Sequence, residues 1–256
     1  MDRKELNNLR SSRSERYQIL QIERVRTHIQ NFDENIQGGI PKNQVVLISG
    51  TPGTMKSSVA YSVLYHNALE NGTKSVYMTL EQSRDNLLQQ MKSLGMCDEK
   101  VENCIQVLDL GLIRKSLTQL SAKGTWMQVF KMYANNLKKS FDYDLLVVDS
   151  LDVLEMAAQM GENRRAELFY LFEWLRNLNV TSLLISETAP DNMFDRRFEE
   201  GYLADGIIAL KLKEIGETDI QRRIRCVKLR STNHKTGYFS LLFADGRFRA
   251  TQVITE

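Results

Sequence analysis

The chain has 256 residues, of which 42% are hydrophobic and 26% charged, a balance typical of a folded domain with a sizeable core. Its formal net charge of +2 at pH 7 excludes the strong overall basic character of many nucleic-acid-binding domains. It does not exclude a local basic patch on the surface. The first residues lack the apolar stretch of a secretory signal, and no apolar run approaches the roughly 20 residues that span a bilayer. We therefore expect a cytoplasmic protein without a membrane partner.

The cysteines and histidines give no sign of a metal site. Cys97, Cys104 and Cys226 form no CxxC motif, and the three histidines are scattered along the chain. Free thiols in a reducing compartment are the expected state of such cysteines.

The first 23 residues are charged and carry too few apolar positions for a core of their own. We predict that residues 1–23 form an N-terminal extension and that residues 24–256 form one domain. No internal repeat is visible, and three prolines in the whole chain argue against long disordered linkers.

Short apolar runs alternate with helical patterns in the first two thirds of the domain. The predicted strands are Gln44–Ser49, Ser75–Leu80, Cys104–Leu108, Leu145–Val148 and Val180–Ser186. The first and the last two of these are expected to be buried on both faces. The predicted helices are Ser57–Glu70, Asp85–Leu94, Trp126–Lys139 and Arg164–Asn177, the last with Leu168, Phe169, Phe172 and Leu175 facing inward. This alternation predicts an α/β fold with a mostly parallel central sheet flanked by helices.

The sequence pattern changes in the last quarter of the chain. Gly, Asn and Asp turns separate four short strands, which are Gly206–Leu212, Arg222–Leu229, Tyr238–Phe243 and Arg247–Thr251. Closely spaced strands without helices between them favour antiparallel pairing, so we expect an antiparallel C-terminal extension of the sheet.

The loop between the first buried strand and the first helix fits the phosphate-binding pattern G-x-x-x-x-G-K-[ST], apart from one position. The predicted ATP-binding residues are Gly50, Thr51, Pro52, Gly53, Thr54, Met55, Lys56, Ser57 and Ser58. Backbone N–H groups and the helix N-terminus bind phosphates in such loops, and the lysine neutralises the outer ones. Met55 stands where the second glycine is expected, so we expect binding with slowed catalysis, because glycine tolerates unusual dihedrals better.

A magnesium site is predicted from two further side chains. The hydroxyl of Ser57 is the expected direct ligand, and Asp149, which directly follows the apolar run Leu145–Val148, is expected to hold the ion through water. An apolar run followed by Asp is weak evidence for a magnesium site by itself. Together with a phosphate loop upstream in the same chain, it becomes strong evidence.

A general base is expected at the end of the second strand. Glu81 follows the run Ser75–Leu80 and could orient the attacking water, with Lys56 as the second catalytic residue. Taken alone, Glu81 would more often be an acid at a helix start.

Six segments together resemble the KaiC-like ATPases, relatives of the RecA and RadA recombinases. They are, in chain order, the loop Gly50–Ser58, TLEQ at 79–82, VVDS at 147–150, RRAELF at 164–169, LLISE at 183–187 and KLRSTNH at 228–234. The resemblance spans residues 24–250 and is to a single KaiC domain of the archaeal type. It implies a RecA-like P-loop NTPase fold, ATP and Mg²⁺ as cofactors, and a ring, usually a hexamer, with ATP between subunits.

The resemblance also assigns roles to individual residues. Glu81 inherits the base role, while Gln82 replaces a second glutamate common in the family. Lys228 and Arg230 would reach a neighbouring subunit's γ-phosphate, with His234 nearby; without the resemblance they would be solvent-facing residues of an edge strand. Clock-type KaiC has a second domain with a Ser/Thr autophosphorylation site. No matching site can be placed in this chain, so clock function is not carried over, and the sequence leaves kinase activity undecided.

Three functions follow from these residues. The first is a regulatory ATPase whose nucleotide state controls assembly or an unidentified protein partner. The second is a RadA-paralogue accessory factor that binds DNA in recombination; the balanced charges of Pro190–Tyr202, where recombinases place a DNA-contacting loop, disfavour nucleic acid. The third is a nucleotide-binding scaffold with little turnover, suggested by Met55 and Gln82.

Overall fold

The computed structural model describes residues 22–113, 126–161, 163–187 and 200–253. Within them, nine strands form one sheet in the order β11-β10-β9-β8-β3-β7-β6-β4-β5, and β1 (Arg24–Val25) pairs separately with β2 (Ile40–Pro41). The strands of the large sheet are β3 (Val45–Ser49), β4 (Ser75–Thr79), β5 (Ile105–Asp109), β6 (Leu145–Asp149), β7 (Thr181–Ser186), β8 (Gly206–Ile215), β9 (Asp219–Leu229), β10 (Phe239–Ala244) and β11 (Arg247–Gln252).

The six strands from β8 to β5 across the sheet are parallel, and β9, β10 and β11 continue it as antiparallel strands. Every residue of β3, β4, β6 and β7 is buried, because helices cover both faces. The predicted α/β fold, with a mostly parallel centre and antiparallel C-terminal strands, is confirmed.

Helices pack on both faces of the sheet. They are α1 (Lys56–Asn71), α2 (Arg84–Ser93), α3 (Trp126–Phe141), α4 (Leu151–Ala158), α5 (Arg164–Asn177) and α6 (Glu200–Leu203), with 3₁₀ turns at Asp33–Ile36 and Glu99–Val101. One apolar cluster joins α1, the segment 25–40 and the C-terminal strands, and a second joins α3, α4 and α5 on the opposite face.

The predicted inner face of α5 needs one correction. Phe169 is 48% exposed, whereas Leu171 is buried together with Leu168, Phe172 and Leu175. At 100° per residue, Leu171 lies on the same side as Leu168 and Leu175, and Phe169 lies on the solvent side. The boundary between an N-terminal extension at 1–23 and the domain stays a prediction, since residues 1–21 lie outside the described residues.

The order of the strands positions a site. The chain leaves β3, crosses β7 and β6 through α1 and enters β4, so the strand order reverses beside β3. Open α/β sheets bind ligands at the carboxyl ends of the strands at such a switch point. The predicted phosphate loop, Glu81 and Asp149 follow or end β3, β4 and β6, so the topology brings all three to one edge.

Candidate nucleotide and magnesium site

The phosphate loop is held by close backbone contacts at its first glycine. The N–H of Gly50 donates to the carbonyl of Ser186 at 3.2 Å. A Cβ at position 50 would lie 2.4 Å from the carbonyl oxygen of Leu210 on β8. The neighbouring strand therefore leaves room only for glycine at this position.

The position where methionine replaces glycine has the conformation that favours glycine. Met55 has φ 70° and ψ 32°, in the left-handed region, and Gly53 has φ 83°. A side chain in this region costs roughly 1–2 kcal/mol. The Met55 side chain is partly buried against the apolar cluster beneath α1, and this packing offsets part of the cost.

The lysine of the loop lies over the loop itself. Lys56 begins α1, and its amine donates to the carbonyl of Thr51 at 3.3 Å, while the Thr54 hydroxyl donates to the same oxygen at 2.8 Å. The positive charge of Lys56 and the positive end of the dipole of the 16-residue helix α1 thus both lie at the loop. This is the arrangement that binds a phosphate chain.

A cleft of about 330 Å³ opens beside the loop. Its walls are the loop and the C-terminal end of α2, formed by Gly53, Met55, Lys56, Ser57, Ser58, Gln90, Ser93 and Leu94. The sequence did not single out Gln90 or Ser93, because polar residues on an exposed helix carry no motif.

A buried cluster of oxygen atoms forms the predicted magnesium position. Asp149 is 4% exposed, and its Oδ2 accepts a hydrogen bond of 2.5 Å from the phenol of Tyr77 on β4. Burial raises the pKa of Asp149, and the hydrogen bond from Tyr77 opposes that rise, as does the nearby Ser57 side chain.

These donors fit Mg²⁺. Hydroxyl and carboxylate oxygens are its preferred ligands, and it commonly takes only one or two from the protein and the rest from phosphate and water. Among the described residues no group of three or more His, Cys, Asp or Glu side chains could hold a metal ion. The described residues therefore do not form a complete set of protein ligands for a softer metal.

The predicted base lies on the same edge. Glu81 is exposed two residues after β4 ends, and the hydroxyl of Ser150 donates to its Oε1. Ser150 is fully buried, directly follows Asp149 and also caps α4. The structure therefore links Glu81 to Asp149 through adjacent residues of one turn, a link the sequence motif did not reveal.

The residues predicted to act across an interface lie on β9 and beyond it. The amine of Lys228 donates to the carbonyls of Gly201, Tyr202 and Ala204 at 3.2, 3.2 and 2.6 Å, so it covers the end of α6. Burial lowers the pKa of Lys228.

Arg230 is 52% exposed and forms a salt bridge of 2.8 Å with Asp205, which also binds Arg176. The ring of His234 contacts only the adjacent carbonyl of Lys235 among the described residues. The structure brings none of these three side chains to the phosphate loop of the same chain.

Fold and site together define a P-loop nucleotide-binding protein of the ATPase class. The family described as "ATPase: KaiC" matches residues 25–246, so the chain belongs to the KaiC family of ATPases. In the described residues no helix has the length and apolar content to cross a membrane.

Individual relatives agree with this family. The circadian clock protein KaiC2 of Synechocystis is 27% identical over 89% of this chain, and the clock oscillator protein KaiC of Rippkaea orientalis is 28% identical over 90%. The matches span 40% and 46% of those two proteins, so this chain corresponds to less than half of each. The structure of the KaiC-like protein PH0186 from Pyrococcus horikoshii matches with a TM-score of 0.76 and 27% identity, covering 90% of this chain and all of that one.

Proposed function

We propose that this protein binds ATP with Mg²⁺ at the loop Gly50–Ser58, hydrolyses it slowly, and acts as a regulatory ATPase in a ring of identical subunits. The observation that carries the proposal is the meeting of Lys56, Asp149 and Glu81 at one edge of the sheet. The cytoplasmic location, the hexamer and an unidentified protein partner belong to the same proposal.

Each residue has a task in this mechanism. Lys56 and the N–H groups of the loop bind the outer phosphates. Ser57 would ligate a magnesium ion and Asp149 would hold it through water; the bound ion would neutralise charge on the phosphates. Ser150 fixes one oxygen of Glu81, which leaves Oε2 to orient the attacking water and take its proton. Gln90 and Ser93 line the cleft beside the loop.

Slow turnover follows from the loop. Because Met55 carries a Cβ in a left-handed conformation, the loop cannot readily change its dihedrals around a phosphate as the charge distribution changes. Gln82 supplies no second carboxylate beside Glu81. Binding is therefore expected to be less affected than hydrolysis.

The test is ATP hydrolysis by the full chain and by Lys56→Ala. Loss of the main phosphate-binding cation should remove both ATP binding in calorimetry and turnover. Lys42→Ala is the matched control, because Lys42 pairs with Glu23 before β3, at the opposite edge of the sheet from the loop. Unchanged ATP affinity in Lys56→Ala would disprove the phosphate-loop assignment. Wild-type binding without measurable turnover would instead support the scaffold function.

One observation favours the DNA-binding alternative. The paired strands β8 and β9 place Lys211, Lys213, Arg223 and Arg225 on one face, and in the described part of the chain none of the four forms a salt bridge with a carboxylate. The segment Pro190–Tyr202 lies mostly outside the described residues and adds nothing.

Single-stranded DNA separates the two functions. For the regulatory ATPase, turnover is expected to be the same with and without DNA. Stimulation by DNA that is lost in Lys211→Ala/Arg225→Ala and falls steeply with salt would establish the alternative.

A further inference from the structure

Tyr77 places a polar group in an otherwise apolar part of the core. It lies in the middle of β4, is fully buried and packs its ring against Tyr61 of α1 with 6.0 Å between the ring centroids. Its backbone pairs with Val147, two residues before Asp149. Because alternate residues share a face of the sheet, the phenol reaches along that face to the Asp149 carboxyl group.

A buried tyrosine needs a partner for its hydroxyl, and many acceptors would satisfy it. Here the acceptor is the carboxylate of the proposed magnesium site, at 2.5 Å. The phenol therefore contacts directly a residue that is proposed to hold the magnesium ion.

We propose that Tyr77 is a positioning residue for Mg²⁺ and acts through Asp149. Its phenol fixes Oδ2 of Asp149, so the other carboxylate oxygen keeps one orientation. The inference rests on the proposed function, because it presumes that Ser57 and Asp149 hold magnesium.

The expected size follows from comparable networks. Partners that orient a metal ligand typically contribute 10- to 100-fold to metal affinity.

Tyr77→Phe tests the inference, since phenylalanine keeps the buried ring and removes only the hydroxyl. ATP affinity is measured by calorimetry against Mg²⁺ concentration. The half-saturating Mg²⁺ concentration should rise about 10-fold, while ATP affinity in EDTA stays at the wild-type value. Tyr143→Phe is the matched control, because Tyr143 is also fully buried but donates to the carbonyl of Ala134 on the other face of the sheet.

The double variant with Asp149→Asn excludes a merely structural role. If Tyr77 acts through Asp149, then Asp149→Asn and Tyr77→Phe/Asp149→Asn have the same half-saturating Mg²⁺ concentration. A further loss in the double variant, or a Tyr77→Phe protein with wild-type Mg²⁺ dependence, would overturn the inference. The double variant removes both members of the pair, so this comparison holds even if the single variant folds poorly. A wild-type protein whose ATP binding ignores Mg²⁺ would instead refute the magnesium site itself.

Discussion

Charged residues make different contacts at the two ends of the sheet. At the carboxyl edge of β3, β4 and β6, hydroxyl and carbonyl groups hold Lys56, Asp149 and Glu81. Lys56 also lines the cleft beside the loop. In and after β9, Lys228 and Arg230 contact carbonyls and a carboxylate of their own chain. In the proposed function, the first region supplies one subunit's share of the nucleotide site.

In the second region, Lys228 and Arg230 bind groups of their own chain, which is a structural role. For Arg230 to reach a neighbouring subunit's phosphate, it would have to break its salt bridge with Asp205. Arg176 can hold Asp205 in its place, since it makes two hydrogen bonds to the same carboxylate at 3.0 Å. This difference sets the order of the experiments below.

The largest effect is expected from Arg230→Ala if the second region serves a neighbour. An arginine in trans contributes about 10³–10⁵-fold in well-studied GTPases. Arg230→Ala and Glu81→Gln subunits should each be nearly inactive, and mixing them should restore part of the activity, because some interfaces then join an intact Arg230 to an intact Glu81. No recovery in co-assembled rings would leave Arg230 with only its role at Asp205.

Glu81→Gln addresses the first region. It should leave ATP affinity close to wild type and slow hydrolysis by ~10²–10⁴-fold, because the amide cannot take a proton from the attacking water. Gln82→Ala is the neighbouring control and should keep most of the activity. A Glu81→Gln protein with wild-type single-turnover rates would show that Glu81 is only an acid at the start of α2.

Asp205→Asn tests the structural role of the second region. The pKa of Asp205 is lowered although burial alone would raise it, because Arg176, Arg230 and the N–H of Val45 bind the carboxylate. The neutral amide should reduce the free energy of unfolding by about 2 kcal/mol.

A lowered carboxyl pKa means that this stabilisation is present above the unfolded-state pKa and is lost as pH falls through the folded-state value. The destabilisation, measured with urea, should therefore be full at pH 7 and shrink in acid below about pH 4. Glu23→Gln, which breaks an exposed pair with Lys42, should leave the unfolding midpoint unchanged. Equal midpoints for wild type and Asp205→Asn at pH 7 would contradict the structural role.

Met55→Gly is expected to have the smallest effect. Removing the side chain from a left-handed residue relieves about 1 kcal/mol, which corresponds to roughly a fivefold rise in turnover if the strain limits the loop. Met55→Ala keeps the Cβ and loses the packing, so it should not be faster than wild type. Equal rates in Met55→Gly and wild type would mean that the loop has adapted to methionine.

The parts of the molecule that depend on local pattern could be predicted from the sequence. The bounds of the buried strands were predicted within a residue or two because these strands are apolar on both faces. The phosphate loop could be proposed because its residues are contiguous in the sequence. The hydrogen bond from Tyr77 to Asp149 could not be predicted, since it joins residues 72 positions apart whose strands are not consecutive.

Other features depend on contacts in the folded structure, which a residue's neighbours in the sequence do not reveal. The sequence identified Met55 as unusual, but only the structure gives its left-handed φ and the packing of its side chain. The helix α4 and the pairing of β1 with β2 were not predicted, because both are too short for a clear periodicity. The internal partners of Lys228 and Arg230 come from α6 and the residue before β8, far away in the chain.

We propose that the carboxyl edge of the sheet assembles one magnesium–nucleotide site. Calorimetric ATP binding to wild type and Asp149→Asn, each with Mg²⁺ and with EDTA, tests for this site. EDTA is expected to weaken binding to wild type, and Asp149→Asn in Mg²⁺ is expected to show most of the same loss, with little further effect of EDTA. Additive, independent effects of the mutation and of EDTA would contradict it.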